Sequence, residues 1–172
     1  MSDTTPEHPR IAAFRGDLER HQAEPRIVVL PESVHTAQLA ADALGCEVGA
    51  IANSLLFAAI GLEHPEPTPL LLLTSGAHRV DTDMVAAELG LDRLTRASAD
   101  FVTAHSGQVI GGVSPLGHPE KIPTYLDPTL RKYDEIWAAA GHPAAVFATT
   151  YDELRAMTAA VEQPMNRAGQ SS

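Results

Sequence analysis

One stretch of the sequence combines residue types that could hold a small polar group. Residues 111–117 read Gly-Gly-Val-Ser-Pro-Leu-Gly, with no Gly-Lys-Ser/Thr after them, so they do not form a phosphate-binding loop. Paired glycines within a strand pattern indicate a bulge or the close approach of a ligand, and Pro115 fixes φ and removes one N–H donor. Such a segment can leave backbone N–H and C=O groups free to hold a carbonyl or an amine. A strand that ends in a tight turn explains the same pattern equally well.

The eight histidines invite a metal-site interpretation, which their spacing does not support. None stands in a His-Glu-x-x-His pattern. His64, His118 and His142 each precede a proline, which predicts loop positions. Asp81 and Asp83 stand just before an apolar run, where capping of a helix N-terminus is the commoner role of aspartate. We therefore predict no metal site.

The candidate nucleophiles also lack the surroundings that would activate them. Cys46 follows Gly45 at the predicted end of a helix, whereas a reactive thiolate needs a helix N-terminus or a neighbouring base. A small buried apolar side chain is the better interpretation. Ser114 lacks the Gly-x-Ser-x-Gly frame of a nucleophile elbow, because Gly117 comes one place late and Pro115 follows directly. With a single cysteine, neither an internal disulfide nor a thiolate metal cage can form.

The elements that would position these residues are helices and strands in mixed order. Predicted helices cover 11–21, 34–44 with Ser33 as N-cap, 84–89, 98–104, and 151–161 with a Thr150–Glu153 capping box. Predicted strands cover 26–30, 51–60, 70–74, 109–113, 123–126, 135–139 and 144–148, of which 26–30 and 70–74 read as buried. Clean βαβ alternation is absent. We therefore predict an α+β fold with a mixed sheet and helices packed on it.

Composition and charge fit one globular domain over residues 1–172. We expect its core within about 26–160 and polar tails at 1–8 and 162–172. The formal net charge of −10 argues against a broad basic face for nucleic acid and against docking on an anionic membrane. No apolar run approaches the ~20 residues of a bilayer span, and the N-terminus has no signal-peptide pattern. A cytoplasmic protein is expected, and the sequence leaves both a monomer and a homodimer open.

Four segments, in order along the chain, resemble the YbaK / prolyl-tRNA editing domain family. They are 51–57 (Ile-Ala-Asn-Ser-Leu-Leu-Phe), 70–76 (Leu-Leu-Leu-Leu-Thr-Ser-Gly), 111–117 and 134–141 (Asp-Glu-Ile-Trp-Ala-Ala-Ala-Gly). The resemblance implies one domain with a mixed, strongly curved sheet surrounded by helices. It implies a free-standing hydrolase that acts in trans on mischarged aminoacyl-tRNA and removes a small amino acid, such as alanine or cysteine, often from the proline tRNA.

The same resemblance implies the mechanism and the partners. It implies no cofactor and no metal, and a substrate-assisted reaction in which a ribose hydroxyl of the terminal adenosine helps to activate water or attacks the ester. An aminoacyl ester is already activated, so positioning and oxyanion stabilisation can supply much of the rate. The implied partner is the acceptor end of mischarged tRNA, and an aminoacyl-tRNA synthetase is left open as a second. Capture of the terminal adenosine alone, in a neutral pocket, would reconcile a charge of −10 with weak, salt-sensitive tRNA binding.

The resemblance also assigns site residues. Catalytic roles fall on Asn53 and Gly112, and substrate-binding roles on Gly111, Val113, Ser114, Pro115 and His142. Many members carry lysine where this chain has Asn53, whose amide forms hydrogen bonds but has no charge. This departure keeps open a second interpretation, a non-catalytic or retuned binding module of the same fold. Lys121 is a candidate replacement cation, and Arg79 and Arg131 are weaker ones.

Overall fold

The computed structural model describes residues 7–24, 26–31, 33–34, 36–63, 65–110 and 113–166. Its helices are α1 (Pro9–Arg20), α2 (Ala37–Leu44), α3 (Thr82–Glu88), α4 (Ala99–Ser106) and α5 (Tyr151–Thr158). Its strands are β1 (Ile27–Val29), β2 (Ile51–Gly61), β3 (Thr68–Ser75), β4 (Leu91–Arg96), β5 (Thr124–Leu126), β6 (Ile136–Ala139), β7 (Ala145–Thr149) and β8 (Val161–Glu162). Two short 3₁₀ helices cover Val48–Ala50 and Pro128–Lys132.

The strands form one mixed, open sheet. Its order is β1-β7-β6-β2-β3-β5-β8, and β4 joins it by pairing with β2. β2 is antiparallel to β3 and β4 but parallel to β6, while β3 is parallel to β5. The predicted single-domain α+β fold with a mixed sheet is confirmed. Over the described ranges, no helix has the length and apolar character that a bilayer crossing requires.

The central strand β3 separates two apolar cores. Leu71 and Leu73 are fully buried in the main core, which also takes up Phe14 of α1. Leu72 points to the opposite face and packs in a second cluster with Val85 of α3. Because successive side chains alternate across a sheet, the continuous apolar run at 70–74 is explained by burial on both faces, as predicted.

Helix capping confirms some predicted boundaries and corrects one. Asp81 Oδ1 accepts the N–H of Met84 at 3.0 Å, so this aspartate is a cap. α2 begins at Ala37, not 34, because the hydroxyl of Thr36 accepts the N–H of Leu39 at 3.1 Å. The prediction of Ser33 as the N-cap was therefore wrong.

The C-terminal predictions also need correction. Thr150 caps α5 as predicted, but the helix ends at Thr158 because Ala159 adopts a left-handed φ of 56°. Residues 162–166, which we expected in a polar tail, are packed instead. Gln163 and Met165 are buried, and the Met165 carbonyl accepts the N–H of Asp81 at 2.8 Å.

Two strand predictions and one missed strand depended on context that the sequence does not contain. Residues 27–29 are a strand but not a buried one, since Val29 is 62% exposed on an edge that pairs only with β7. The predicted strand at 109–113 was wrong for its described residues, none of which is extended in the sheet, and its two glycines lie outside the described residues. β4 was not predicted, because only Leu94 of that strand is buried.

Candidate active site

The site begins where the partner strands of β2 separate. Along one edge, β2 pairs continuously with β3 from Ala52 to Ala59. Along the other edge it pairs with β6 only at Ile51–Ala52 and with β4 only from Phe57 onward. Residues 53–56 therefore face a gap between two strands, which we call the fork.

Alternation within the sheet sets the direction of each group at the fork. The Ile51 carbonyl accepts the N–H of Gly76, so the main-chain groups of Ile51 and Asn53 point to β3, and those of Ser54 point into the fork. Ala52 and Leu56 contribute side chains to the main core, so Ser54, between them, presents its side chain on that face. Asn53 presents its side chain on the opposite face, toward α2.

A cavity of about 510 Å³ follows the fork, a volume typical of small-molecule sites. Its walls are mostly small or aliphatic side chains from α2, β2, β6 and the turn before β7. The polar side-chain atoms among the described lining residues belong to Thr36, Asn53, Ser54, Trp137 and His142, and no described lining residue is Lys or Arg. The cavity is therefore apolar, uncharged unless His142 is protonated, and polar mainly along the fork.

α2 forms one wall because its local sequence brings its backbone close to the sheet. Thr36 caps its first turn, and Gly45, with φ of 72°, ends it in the left-handed conformation that suits glycine. Ala37 and Ala40 face the cavity, so no large side chain fills the space between this helix and β2. The hydroxyl of Thr36 is used by the cap, which leaves Asn53 as the available polar side chain of β2 on this side.

His142 is held on a rigid turn between β6 and β7. The N–H of Ala144 donates to its Nδ1 at 3.0 Å, so the proton of the neutral ring lies on Nε2. The His8 ring contacts the His142 ring at a centroid distance of 4.5 Å. Gly141 has φ of 87°, and a Cβ there would lie 3.0 Å from the Arg10 carbonyl oxygen, so the turn requires glycine.

The two polar side chains at the fork have no protein partner. Ser54 Oγ is buried without a hydrogen bond, and it is the one such side-chain atom that occurs among the described residues. No hydrogen bond of the Asn53 side-chain amide occurs within the described ranges either. A buried polar group without a partner is rare in native proteins and calls for an explanation, of which a binding or catalytic function is one. Ser54 was not among the predicted site residues, although a polar pair inside an apolar strand was a visible signal.

The predicted glycine-rich segment is divided between two places. Val113 lines the cavity at the fork. Ser114 does not, and its groups are already used: its N–H donates to Gln108 Oε1 at 2.7 Å, and its carbonyl lies 2.8 Å from His118 Nε2. The Gln108 side chain thus closes this loop in place of a partner strand. Gly111 and Gly112 lie outside the described residues.

The predicted replacement cation lies elsewhere. Pro115 and Lys121 line a second cavity of about 460 Å³ beside the end of α5. In that cavity, burial lowers the pKa of His118. Lys121 is therefore not a substitute for the family lysine at Asn53, and Arg131 instead contacts Glu162. Of the predicted site residues within the described ranges, the structure brings together Asn53, Val113 and His142, and it leaves Ser114 and Pro115 apart.

A second polar cluster surrounds the buried carboxylate of Asp127. Its Oδ2 accepts the N–H of Ser75 at 3.0 Å and the hydroxyl of Thr74 at 3.4 Å, and its Oδ1 accepts the N–H of Thr129 at 2.9 Å. His78 Nε2 lies 2.7 Å from the Thr129 hydroxyl. This cluster joins the end of β3 to the second 3₁₀ helix. The described residues contain no group of three or more His, Cys, Asp or Glu side chains that could hold a metal ion.

Comparison with known proteins gives consistent results. A family model described as the aminoacyl-tRNA editing domain matches residues 31–157. A proline–tRNA ligase of Limosilactobacillus fermentum is 32% identical over 56% of this chain, which spans only 17% of that protein. A "Putative Cys-tRNA(Pro)/Cys-tRNA(Cys) deacylase EbsC" of Enterococcus faecalis is 27% identical, over 62% of each chain. A crystal structure of "a putative trans-editing enzyme for prolyl tRNA synthetase" is 36% identical, with a TM-score of 0.83, covering 95% of this chain and 100% of that one.

Proposed function

Since this chain belongs to the aminoacyl-tRNA editing domain family, we propose that it is a deacylase that removes a small amino acid, such as alanine or cysteine, from mischarged tRNA. The observation that carries the proposal is the cavity at the fork, whose apolar walls surround the amide of Asn53 and a Ser54 hydroxyl that has no partner among the described residues. The names of two relatives supply the tRNA class, since they refer to the proline tRNA and its synthetase. The proposed place of action is the cytoplasm, and a synthetase is the proposed delivery partner.

The proposed reaction is hydrolysis of the ester between the amino acid and the terminal ribose. A water oxygen bonds to the carbonyl carbon, and the π electron pair moves to the carbonyl oxygen. The tetrahedral intermediate then collapses, the bond to the ribose oxygen breaks, and that oxygen takes up the proton that the water releases. We assign the transfer of this proton to a ribose hydroxyl of the substrate. No carboxylate is found among the described lining residues, and the Nδ1 of His142 already accepts the N–H of Ala144.

The protein supplies position, exclusion of water and hydrogen bonds. The walls formed by α2 and β6 enclose the space beside the ester, and in our proposal this space holds small side chains such as those of alanine and cysteine. The amide of Asn53 can donate to a ribose or carbonyl oxygen and accept from an ammonium group. Fixed, neutral donors in an apolar cavity stabilise developing charge more strongly than they would in water.

The direct test is release of amino acid from a panel of mischarged tRNAs, including alanyl- and cysteinyl-tRNA for proline. We expect release of at least one small amino acid at a rate above that of buffer alone. An active editing domain of the same family, assayed in parallel, validates each substrate. No release from any member of the panel, beside an active control, would contradict the proposal.

The uncharged lining of the cavity favours one alternative, a non-catalytic or retuned binding module. Asn53→Lys separates the two functions. If Asn53 works in catalysis, the substitution lowers a measurable activity, because the amide is lost. A large rise from a baseline near zero would instead identify a lapsed enzyme whose missing group was the cation.

A further inference from the structure

The Ser54 hydroxyl differs from the other buried hydroxyl groups in the part of the chain that the structure describes. Ser75 Oγ donates to the Gly49 carbonyl at 2.7 Å, and Ser106 Oγ donates to the Val102 carbonyl at 2.6 Å. Ser54 Oγ is equally removed from solvent but has no partner. Leaving such a group unpaired costs stability, so an alanine at this position would give the more stable protein if the hydroxyl had no further use.

The main chain of Ser54 is unpaired by the sheet as well. Ser54 lies between the part of β2 that pairs with β6 and the part that pairs with β4. The alternation of main-chain groups along β2 directs its N–H and C=O into the fork. Its N–H and Oγ are separated by three covalent bonds, so both can approach one acceptor atom. One residue thus offers two donors, on strand β2 rather than on a loop, in the wall of an apolar cavity.

We propose that Ser54 binds the carbonyl oxygen of the aminoacyl ester, with its Oγ–H and N–H as donors; this inference rests on the proposed deacylase function. As the water oxygen bonds to the carbonyl carbon, the π pair moves onto the oxygen that Ser54 holds. When the ester bond breaks, that pair re-forms the C=O bond, and the ribose oxygen leaves with the released proton. Both donors are neutral, so they act without the lysine that many relatives carry at Asn53.

The assignment explains why an unpaired hydroxyl persists beside small apolar neighbours. A donor fixed in advance needs no reorganisation when the oxygen becomes negative, and its effect is larger in the transition state than with the bound ester. In this assignment the acceptor for the Ser54 hydroxyl is the carbonyl oxygen of the substrate. Asn53, on the other face of β2, remains free to contact the ribose or the amino group.

The test compares Ser54→Ala with Ser75→Ala, a matched loss of one hydroxyl from the neighbouring strand. For Ser54→Ala we expect kcat to fall by about 10²-fold with KM changed by no more than about twofold, because the lost donor acts in the transition state. Its thermal midpoint should equal or exceed that of the wild type, because an unpaired group is removed. Ser75→Ala should show the reverse, a lower midpoint with kcat retained below its unfolding temperature. Ser54→Thr, which keeps a hydroxyl, should recover part of the rate.

Two outcomes overturn the assignment. One is an unchanged kcat for Ser54→Ala, and the other is a midpoint lowered as far as that of Ser75→Ala, which would show that the hydroxyl has a structural partner. If the wild type releases no amino acid, the proposed function itself fails. The role of Ser54 is then tested with an alanyl amide of amino-deoxyadenosine, in which nitrogen replaces the ester oxygen. NMR measures the binding of this analogue. The carbonyl carbon of the bound analogue, labelled with ¹³C, should have a different chemical shift in the wild type and in Ser54→Ala. The same shift in both proteins, or no binding to the wild type, overturns the inference.

Discussion

Two polar pairs lie side by side in the centre of the sheet and have opposite surroundings. Asn53 and Ser54 belong to β2, Thr74 and Ser75 belong to β3, and Asn53 lies directly opposite Thr74 in the register. The hydroxyls of Thr74 and Ser75 both have partners, and Asp127 accepts from the first of them. On β2, the hydroxyl of Ser54 has none.

The difference separates groups that build the protein from groups that are available to a ligand. On β3 the chain encloses a carboxylate and supplies it with donors from two segments, which holds the strand end in place. On β2 the neighbouring strands move apart and leave donors and acceptors facing a cavity. Native structures satisfy nearly all buried polar groups, so the unsatisfied hydroxyl of Ser54 is where function is expected to override local stability.

The largest expected effect comes from disrupting the hydrogen-bonded cluster around the Asp127 carboxylate. Asp127→Ala leaves the N–H groups of Ser75 and Thr129 without their acceptor, so we expect a loss of roughly 3 kcal/mol in the free energy of unfolding. Urea unfolding measures it, with Asp92→Ala, an exposed position on β4, as the control. If the variant also lost all deacylase activity while fully folded, the cluster would not be purely structural.

The second-largest expected effect comes from filling the cavity at the fork, beside Asn53 and Ser54. Ala139 lines the cavity from β6, and Ala139→Leu adds bulk there. We expect kcat/KM for an alanyl ester to fall by about tenfold or more, with the free energy of unfolding changed by less than about 1 kcal/mol. Steady-state deacylation measures the first quantity. Ala87→Leu, on the exposed surface of α3, is the control, and equal activity of the two variants would exclude this cavity as the site.

A smaller effect, on the binding of tRNA, is expected from the two arginines of β4, which lie on opposite faces of the sheet. Arg96 lies opposite Phe57, on the same face of the sheet as the Asn53 side chain, whereas Arg93 lies opposite Ile60 on the other face. If Arg96 contacts a tRNA phosphate, Arg96→Ala raises KM for aminoacyl-tRNA by about threefold and lowers the salt dependence of log KM by about one unit of slope. Arg93→Ala should change neither. Indistinguishable salt slopes for the two variants would place the tRNA backbone elsewhere.

The smallest expected effect is on the pH dependence of the free energy of unfolding, and it arises at Tyr151, outside the fork. Burial and the hydrogen bond to Glu162 raise the pKa of Tyr151 to about 12, from an ordinary value of 10.0. The folded protein holds this proton more tightly than the unfolded chain, so the contribution is complete below pH 10 and is lost as the pH rises toward 12. Tyr151→Phe should flatten the decline in unfolding free energy over this window. A decline as steep as in the wild type would assign it to other groups.

Sequence patterns predict the parts of the fold that depend on local chemistry. The run Leu70–Leu73 identifies the central strand, and Ser98 and Thr150 identify helix starts. These features can be predicted because apolar runs and helix caps depend on residues that are close together in sequence. The exposure of Val29 and the strand Leu91–Arg96 could not be predicted in the same way. Both depend on which strand becomes an edge, which is a property of the assembled sheet.

The candidate site shows the same division. Asn53, Val113 and His142 come together as the ordered segments suggested, although they are far apart in sequence. The loss of Ser114 from the cavity could not be foreseen, because it depends on the Gln108 side chain that closes the loop. The polar pair at 53–54 was visible inside an apolar strand, but the unpaired main chain of Ser54 depends on the registers with β4 and β6, which the sequence does not contain.

The most direct measurement is the crystal structure of the protein with the alanyl amide of amino-deoxyadenosine bound. The account predicts that the analogue occupies the cavity at the fork, with its carbonyl oxygen within about 3.2 Å of Ser54 Oγ and with Asn53 and His142 lining the same space. Binding in the second cavity beside Lys121, or binding at the fork with the carbonyl directed away from Ser54, would contradict it.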